Sequence, residues 1–216
     1  MKAMILAAGR GERLIPYTDQ TPKPLLMVDG ISLLERNING LYGAGIRDIV
    51  INTSWLGSHI QDFVTQLDLP GLHITCVHEG DTPLGTGGGI FNVLDHLQDG
   101  PFWVINADII TSYNFAPIVL AGNSLAHLVL VSNPDHNERG DFGLDGDLVL
   151  NKSNQMHTFS GISCLSPDIF QGVNQSIFSL AQLLRKFIGL GLVKGELFLG
   201  KWLDVGTIDR FNKADG

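Results

Sequence analysis

Two cysteines in 216 residues are too few for a disulfide framework, and Cys76 and Cys164 each fall inside an apolar, strand-like segment, so both are expected as buried, reduced thiols. The seven histidines, His59, His73, His78, His96, His127, His136 and His157, show no ligand spacing, which excludes a zinc site of the His-Glu-x-x-His or Cys/His kind. No run of basic residues occurs and the formal net charge is −8, so a nucleic-acid surface is not expected. No apolar stretch approaches a membrane span, and the N-terminal run 2–7 is broken by Gly9-Arg10-Gly11-Glu12-Arg13 before it could act as a secretory core. A cytoplasmic protein without a membrane partner is the expectation. Neither a repeat nor a linker divides the chain and its length suits one core, so residues 1–216 are read as a single domain.

Glycine, by contrast, is abundant. The 26 glycines exceed the roughly 15 that average usage of about 7% would give, and they cluster at turns after apolar runs, as an α/β sheet with working loops requires. Apolar runs suited to buried strands recur at 2–7, 48–52, 72–78, 102–106 and 125–132. Helical patterns at 32–44, 55–67 and 88–97 separate the first four, and Gly45 stands where the first helix should stop. That alternation predicts a parallel sheet with helices on both faces. Further on, 142–150 alternates around Asp145-Gly146 as a hairpin would, 158–165 reads as another strand, and 177–190 as an amphipathic helix. In open α/β sheets ligands sit outside the carboxyl ends of the strands, so the loops after Ala7, His78, Asn106 and Ser132 should converge. Trp55, Trp103 and Trp202 are expected in the core or in site walls.

The first of those loops is the most informative. Gly9 and Gly11 let the chain turn sharply after the first strand with backbone N–H groups free to bind anions, and Arg10 and Arg13 add positive charge beside them. Pro22 and Pro24 are expected to hold the chain around Lys23 extended and to limit its freedom, which makes its ammonium a point charge aimed at phosphate. Two well-known phosphate loops do not fit: a dinucleotide fingerprint needs a third glycine or alanine where Leu14 stands, and no Gly-Lys-Ser/Thr occurs. Asp108 and Asp204 each follow an apolar run, where an acidic side chain is costly unless something uses it. With a triphosphate grip in the same chain they suggest a shared Mg²⁺, although a turn aspartate would serve as well at Asp204 before Val205-Gly206-Thr207.

The run Leu6-Ala7-Ala8-Gly9-Arg10-Gly11-Glu12-Arg13, with Thr21-Pro22-Lys23-Pro24-Leu25, resembles the signature of the nucleotidyltransferases that join an NTP to a sugar 1-phosphate and release pyrophosphate. Pro83-Leu84-Gly85-Thr86-Gly87-Gly88-Gly89-Ile90, Val104-Ile105-Asn106-Ala107-Asp108, Ser160-Gly161-Ile162 and Trp202-Leu203-Asp204-Val205-Gly206-Thr207 match in the same order. The resemblance implies a Rossmann-like three-layer α/β/α sandwich with a mixed, mostly parallel sheet, of the nucleotide-diphospho-sugar transferase type. It implies Mg²⁺ on Asp108 and Asp204, with Arg13 on the β- and γ-phosphates and Lys23 near the α-phosphate as the catalytic cations. The implied nucleotide site adds Ala8, Gly9, Gly11, Glu12, Glu79, Gly85 and Thr86, and the implied sugar site comprises Asn106, Arg139, Gly140, Asp141 and Asn151.

Four positions depart from the commoner family pattern. Glu79 stands where many relatives carry glutamine, Phe159 where many carry asparagine, Asn151-Lys152-Ser153 where many carry a glutamate element, and Asp141 is an addition. These departures put the commoner substrates in doubt, and the loop 79–91 together with Arg139-Gly140-Asp141-Phe142 and Phe159-Ser160-Gly161 in a short chain resembles, within the family, the branch that transfers uridylyl from UTP to N-acetylmuramate 1-phosphate in peptidoglycan recycling. Glucose, mannose or N-acetylglucosamine 1-phosphate are the alternative substrates, and a non-catalytic sugar-nucleotide-binding relative is a further alternative. Joint retention of Arg13, Lys23, Asp108 and Asp204 speaks against the last.

Overall fold

The computed structural model describes residues 1–214. Its elements run β1 (Lys2–Leu6), β2 (Met27–Val28), β3 (Ile31–Ser32), α1 (Leu33–Gly43), β4 (Asp48–Thr53), α2 (Gly57–Thr65), β5 (His73–His78), α3 (Gly85–Asn92), β6 (Phe102–Asn106) and β7 (Ile109–Thr111). They continue with β8 (Ala126–Val131), β9 (Phe142–Asp145), β10 (Leu148–Leu150), β11 (Met156–Leu165), α4 (Leu180–Ile188), β12 (Val193–Leu197), β13 (Trp202–Asp204) and α5 (Ile208–Ala214). Nine of the strands form one sheet in the order β5-β4-β1-β6-β11-β8-β12-β10-β9. The first four are parallel, as the alternation of runs predicts. The sheet is nevertheless mixed, because β11 enters antiparallel between β6 and β8 and the β9–β10 hairpin closes the far edge.

Side chains alternate across this sheet. Met4, Val50 and Val104 face α3 and α4, packing with Ile90, Leu180 and Leu184. Ala3, Ile5, Ile49 and Ile51 face the other way, onto Leu34, Ile38 and Leu41 of α1 and Ile60 of α2. A third, smaller core beneath the N-terminal loop joins Leu14, Leu26 and Leu33 to Ile110, Val205 and Phe211. Leu14 is fully buried there, which contributes roughly 1.5–3 kcal/mol to fixing the loop that carries Gly11 and Arg13.

Two helix starts differ by three residues from the sequence pattern, for one reason. Helix α3 begins at Gly85 rather than 88, and α4 at Leu180 rather than 177, because the segment before α4 is laid across the first turn of α3. Gly87 and Gly88 N–H donate to the Phe178 carbonyl at 3.0 and 3.1 Å, Phe178 N–H donates to the Leu84 carbonyl at 3.0 Å, and Leu180 N–H donates to Thr86 Oγ1 at 2.9 Å. A Cβ on Gly88 would fall onto the Ser176 carbonyl oxygen, so this close approach is open only to glycine. Gly88→Ala is therefore expected to destabilise the protein by about 2–3 kcal/mol in urea unfolding, as overpacking against backbone does. An unchanged unfolding midpoint would show that the 176–180 segment is not held against α3.

Both cysteines are free. Cys164 is buried, and burial pushes its thiol up to about 12, so thiolate chemistry is closed to it near neutral pH. Cys76 departs from the expectation: at the sheet edge on β5 it is only half-buried, though burial raises its thiol too. Among the described residues no helix is long and apolar enough to cross a membrane.

Candidate active site

The carboxyl ends of β1, β4, β5 and β6 open into one cleft of about 770 Å³, within the range of small-ligand sites. Ala8, Gly9, Arg10 and Glu12 line it from the loop after β1, Ser54, Trp55 and Leu56 from the loop after β4, Glu79 and Asp81 from the loop after β5, and Asn106, Ala107 and Asp108 from the end of β6. Lys23 and the first turn of α3, Gly85 and Thr86, complete it. The convergence expected of the loops after Ala7, His78 and Asn106 is therefore present. The loop after Ser132 does not line this cleft; it reaches the neighbouring aspartate Asp204 instead, through His136.

The N-terminal loop is held in an open turn by contacts that no local pattern announces. Gly11 has φ +69°, and a Cβ there would come within 2.9 Å of Thr18 Cγ2 and 3.1 Å of Lys23 Cβ. Thr18, fully buried, donates its hydroxyl to the Gly11 carbonyl at 2.9 Å. Its own carbonyl accepts from Arg10 at 2.8 Å and from the Trp55 indole at 3.0 Å. The Arg10 guanidinium lies 3.8 Å over the Trp55 ring and 3.0 Å from Asp19 Oδ1, so it forms a wall of the cleft. Trp55 is thus a site wall, whereas Trp103 is fully buried.

Lys23 projects from a single helical turn, Lys23–Leu25, and not from the extended chain expected between the two prolines: only Pro22 is extended, and Pro24 sits inside the turn. Lys23 pairs with the Asp108 carboxylate. Its side chain is 14% exposed and that of Asp108 is 24%. Asp108 and Asp204 come together because β7 and β13 form an antiparallel ribbon outside the main sheet, with Asp204 opposite Ile109 and Val205 N–H donating to the Asp108 carbonyl at 2.8 Å. Asp204 Oδ2 accepts from Arg210 Nη1 at 2.8 Å and lies 2.7 Å from His136 Nε2. Each carboxylate therefore has cationic or imidazole company. Among the described residues no group of three or more His, Cys, Asp or Glu forms a metal cage. Two carboxylates at adjacent strand ends do fit a hard divalent cation whose remaining oxygens come from phosphate and water, since Mg²⁺ is commonly held that way.

The end of the cleft beside Glu79 is built around Asn52, which is 3% exposed. Its Oδ1 accepts from Ala7 N–H at 2.9 Å and its Nδ2 donates to Glu79 Oε2 at 2.8 Å. Thr86 also lines the cleft, but its hydroxyl already accepts the bond from Leu180 N–H.

The remaining expected residues stand elsewhere. Gly11 and Arg13 are not cleft walls, and Arg13 is exposed one residue beyond the cleft-lining Glu12. Of the expected sugar residues only Asn106 lines the cleft. Arg139 is exposed in the loop after β8. Gly140, at φ +65°, would place a Cβ 2.9 Å from His157 N. Asp141 Oδ2 accepts from Asn137 Nδ2 at 3.0 Å and from Phe159 N–H at 2.9 Å, which commits that oxygen to tying the loop to β11. Asn151 donates to the Arg185 carbonyl at 2.9 Å. Phe159 packs edge-on against Phe142, with ring centroids 6.3 Å apart. Gly161, at φ +77° where β11 bulges between Phe159 and Ile162, would place a Cβ 2.7 Å from Ile109 Cδ1, so it too admits only glycine beside Asn106.

Thr18, Asn52, His136 and Arg210 escaped the sequence reading. Asn52 carried a usable signal, since it is a polar residue ending the apolar run Ile49-Val50-Ile51, as Asn106 ends its own run.

Residues 2–146 match the family described as nucleotidyl transferase. The chain is 42% identical to N-acetylmuramate alpha-1-phosphate uridylyltransferase of Neisseria meningitidis serogroup B, over 99% of this chain and 96% of that protein. It is 28% identical to the protein of the same name from Caulobacter vibrioides, over 94% of this chain and 91% of the relative. Among solved structures it is similar to HddC from Yersinia pseudotuberculosis complexed with GMP-PN, with a TM-score of 0.81 and 26% identity, covering 99% of this chain and 97% of the other.

Proposed function

This chain belongs to the nucleotidyl transferase family, and from that premise we propose that it condenses UTP with N-acetylmuramate α-1-phosphate to give UDP-N-acetylmuramate and pyrophosphate, in peptidoglycan recycling in the cytoplasm. The end-to-end similarity to the Neisseria relative carries this reading. Helices on both faces of the mixed sheet support the reading of residues 1–216 as one three-layer α/β/α domain of the nucleotide-diphospho-sugar transferase type.

In the proposed reaction an oxygen of the sugar 1-phosphate attacks the α-phosphorus of UTP in line, a new P–O bond forms, the bond between the α-phosphorus and the bridging oxygen breaks, and pyrophosphate leaves with that electron pair. The attacking phosphate is already an anion, so the protein's task is to orient two anions and to balance their charge. Lys23 serves the α-phosphate region and exchanges its Asp108 partner for phosphate oxygen. Arg13, exposed just beyond Glu12, serves the β- and γ-phosphates, and backbone of Ala8, Gly9, Gly11 and Glu12 contributes N–H donors. Asp108 and Asp204 would hold Mg²⁺, which when bound supplies charge neutralisation across the phosphates. Glu79, Gly85 and Thr86 bound the base, and Asn106, Arg139, Gly140, Asp141 and Asn151 the sugar.

The sugar carries the testable distinction. N-acetylmuramate differs from N-acetylglucosamine by a 3-O-lactyl ether with a carboxylate, so a selective site needs room and a cation. Phe159 withholds the polar contact that asparagine gives plain sugars, and exposed Arg139 supplies a fork that pairs bidentately with a carboxylate. N-acetylmuramate 1-phosphate is expected to exceed N-acetylglucosamine 1-phosphate in kcat/KM by at least about tenfold, the scale of roughly 1.4 kcal/mol. A pyrophosphate-release screen across NTPs and sugar 1-phosphates tests the assignment. Equal constants for the two sugars refute the muramate reading, and preference retained in Arg139→Ala refutes only the arginine's part.

A further inference from the structure

The structure assigns Asn52 a part in choosing the nucleobase: we propose that it fixes the Glu79 carboxylate so that one oxygen is spent inside the protein and the other reads a ring N–H of the base. The inference rests on the reading of this cleft as a nucleotide site. Asn52 cannot turn its amide over. Its Oδ1 is committed to Ala7 N–H at 2.9 Å, which leaves Nδ2, a donor, facing Glu79 Oε2 at 2.8 Å. Near-complete burial of Asn52 holds the side chain in that sense, and Gly89 closes the pair from behind, where a Cβ would lie 2.8 Å from Asn52 Nδ2 and 3.0 Å from Glu79 Oε2. Glu79 Oε1 has no partner among the described residues, and Glu79 lines the cleft.

The consequence is a one-signed reader. A carboxylate held through one oxygen offers only lone pairs from the other, because a carboxylate accepts and does not donate. Uracil presents a ring N3–H to such a group, whereas cytosine presents the N3 lone pair and would set acceptor against acceptor. A site that hydrogen-bonds a substrate N–H rejects the analogue lacking it strongly, since its own polar group is then left without a partner. Glutamine at position 79 would behave differently beside this asparagine: its oxygen would take the Asn52 donor and its NH₂ would face the base. The glutamate is thus matched to Asn52, and the pair distinguishes ring N–H bases from cytosine and adenine.

The test is equilibrium binding of UTP and CTP to the full chain, without sugar, so that it does not depend on which sugar is used. The wild-type protein is expected to bind UTP at least about a hundredfold more tightly than CTP. Asn52→Asp keeps the acceptor for Ala7 N–H but replaces the donor toward Glu79 by a carboxylate oxygen that repels it, and should lower that ratio at least about tenfold. Glu79→Gln should lower it too. The double variant Asn52→Asp/Glu79→Gln restores a donor–acceptor match with its polarity reversed, leaves the glutamine oxygen facing the base, and is expected to recover the wild-type ratio to within about threefold. A merely structural role for Asn52 predicts no such recovery. If Asn52→Asp does not fold, Glu79→Gln and the double variant decide the matter alone. An undiminished ratio in Asn52→Asp or Glu79→Gln, or no recovery in the double variant, overturns the proposal. Binding of both nucleotides without preference overturns it while leaving the nucleotide site standing, and failure to bind either overturns both.

Discussion

Replacing Asp108 or Asp204 by alanine is expected to lower pyrophosphate release from UTP by at least about a thousandfold, or about 4 kcal/mol of transition-state stabilisation, and chelation of divalent cations should do the same to the wild-type protein. The argument begins with the ribbon of β7 and β13, which sets the two aspartates at neighbouring strand ends. Neither carboxylate lies idle, since Lys23 pairs with Asp108, and Arg210 and His136 with Asp204. Removing one leaves its cationic neighbour partly buried without a counter-charge, a stability cost that must be separated from the loss of a ligand. Asparagine variants make that separation, because Asp204→Asn still offers an acceptor to Arg210 while removing the charge that a divalent cation needs. Mn²⁺ binding in the presence of UTP, followed by electron paramagnetic resonance, should weaken in Asp108→Asn and Asp204→Asn while their melting temperatures stay near wild type. Full activity in excess chelator, or unchanged Mn²⁺ binding in both variants, would sink the metal assignment.

How much of this was legible beforehand depends on the range of the contact. The strands β1, β4 and β6 could be read directly, because a strand buried on both faces is a continuous apolar run, whereas β5 has the run but lies at the sheet edge with no fully buried residue. That the loop after β1 brings Gly9, Arg10 and Lys23 to one cleft could be read too, whereas Gly11 and Arg13 of the same loop do not line it. The ribbons β2–β3 and β7–β13 could not: strands of two or three residues carry no periodicity. The run Gly85 to Gly89 was legible as important but not for its reason. It reads only as part of the family pattern, whereas Gly87 and Gly88 admit the 176–180 segment, the Phe178 ring included, and Gly89 admits the Asn52–Glu79 pair. Asn52 could be noticed as the polar end of an apolar run, but its partner Ala7 lies 45 residues away, so the pairing itself has no local signature. The same holds for Asp141, whose carboxylate ties its loop to β11.

Lys23→Ala should lower turnover by roughly 10²–10³-fold, about 3–4 kcal/mol, because it deletes a preorganised charge from the place where negative charge is rearranged. The preorganisation is visible in how little freedom the side chain has. Pro22 enters the turn extended at φ −61° and ψ 141°, Pro24 follows inside it and is buried, and the bare face of Gly11 packs over the lysine stem. The ammonium is held by Asp108. Loss of the side chain also frees Asp108 to repel the incoming triphosphate, so the effect should fall on both kcat and the KM for UTP. Arginine should restore only part of the rate: it keeps the charge, but its planar fork is bulkier than a point charge beneath Gly11. The measurement is steady-state pyrophosphate release for wild type, Lys23→Ala and Lys23→Arg, with thermal melts as the control on folding. A folded Lys23→Ala protein with near-normal turnover would remove Lys23 from the reaction and leave it as a partner of Asp108 alone.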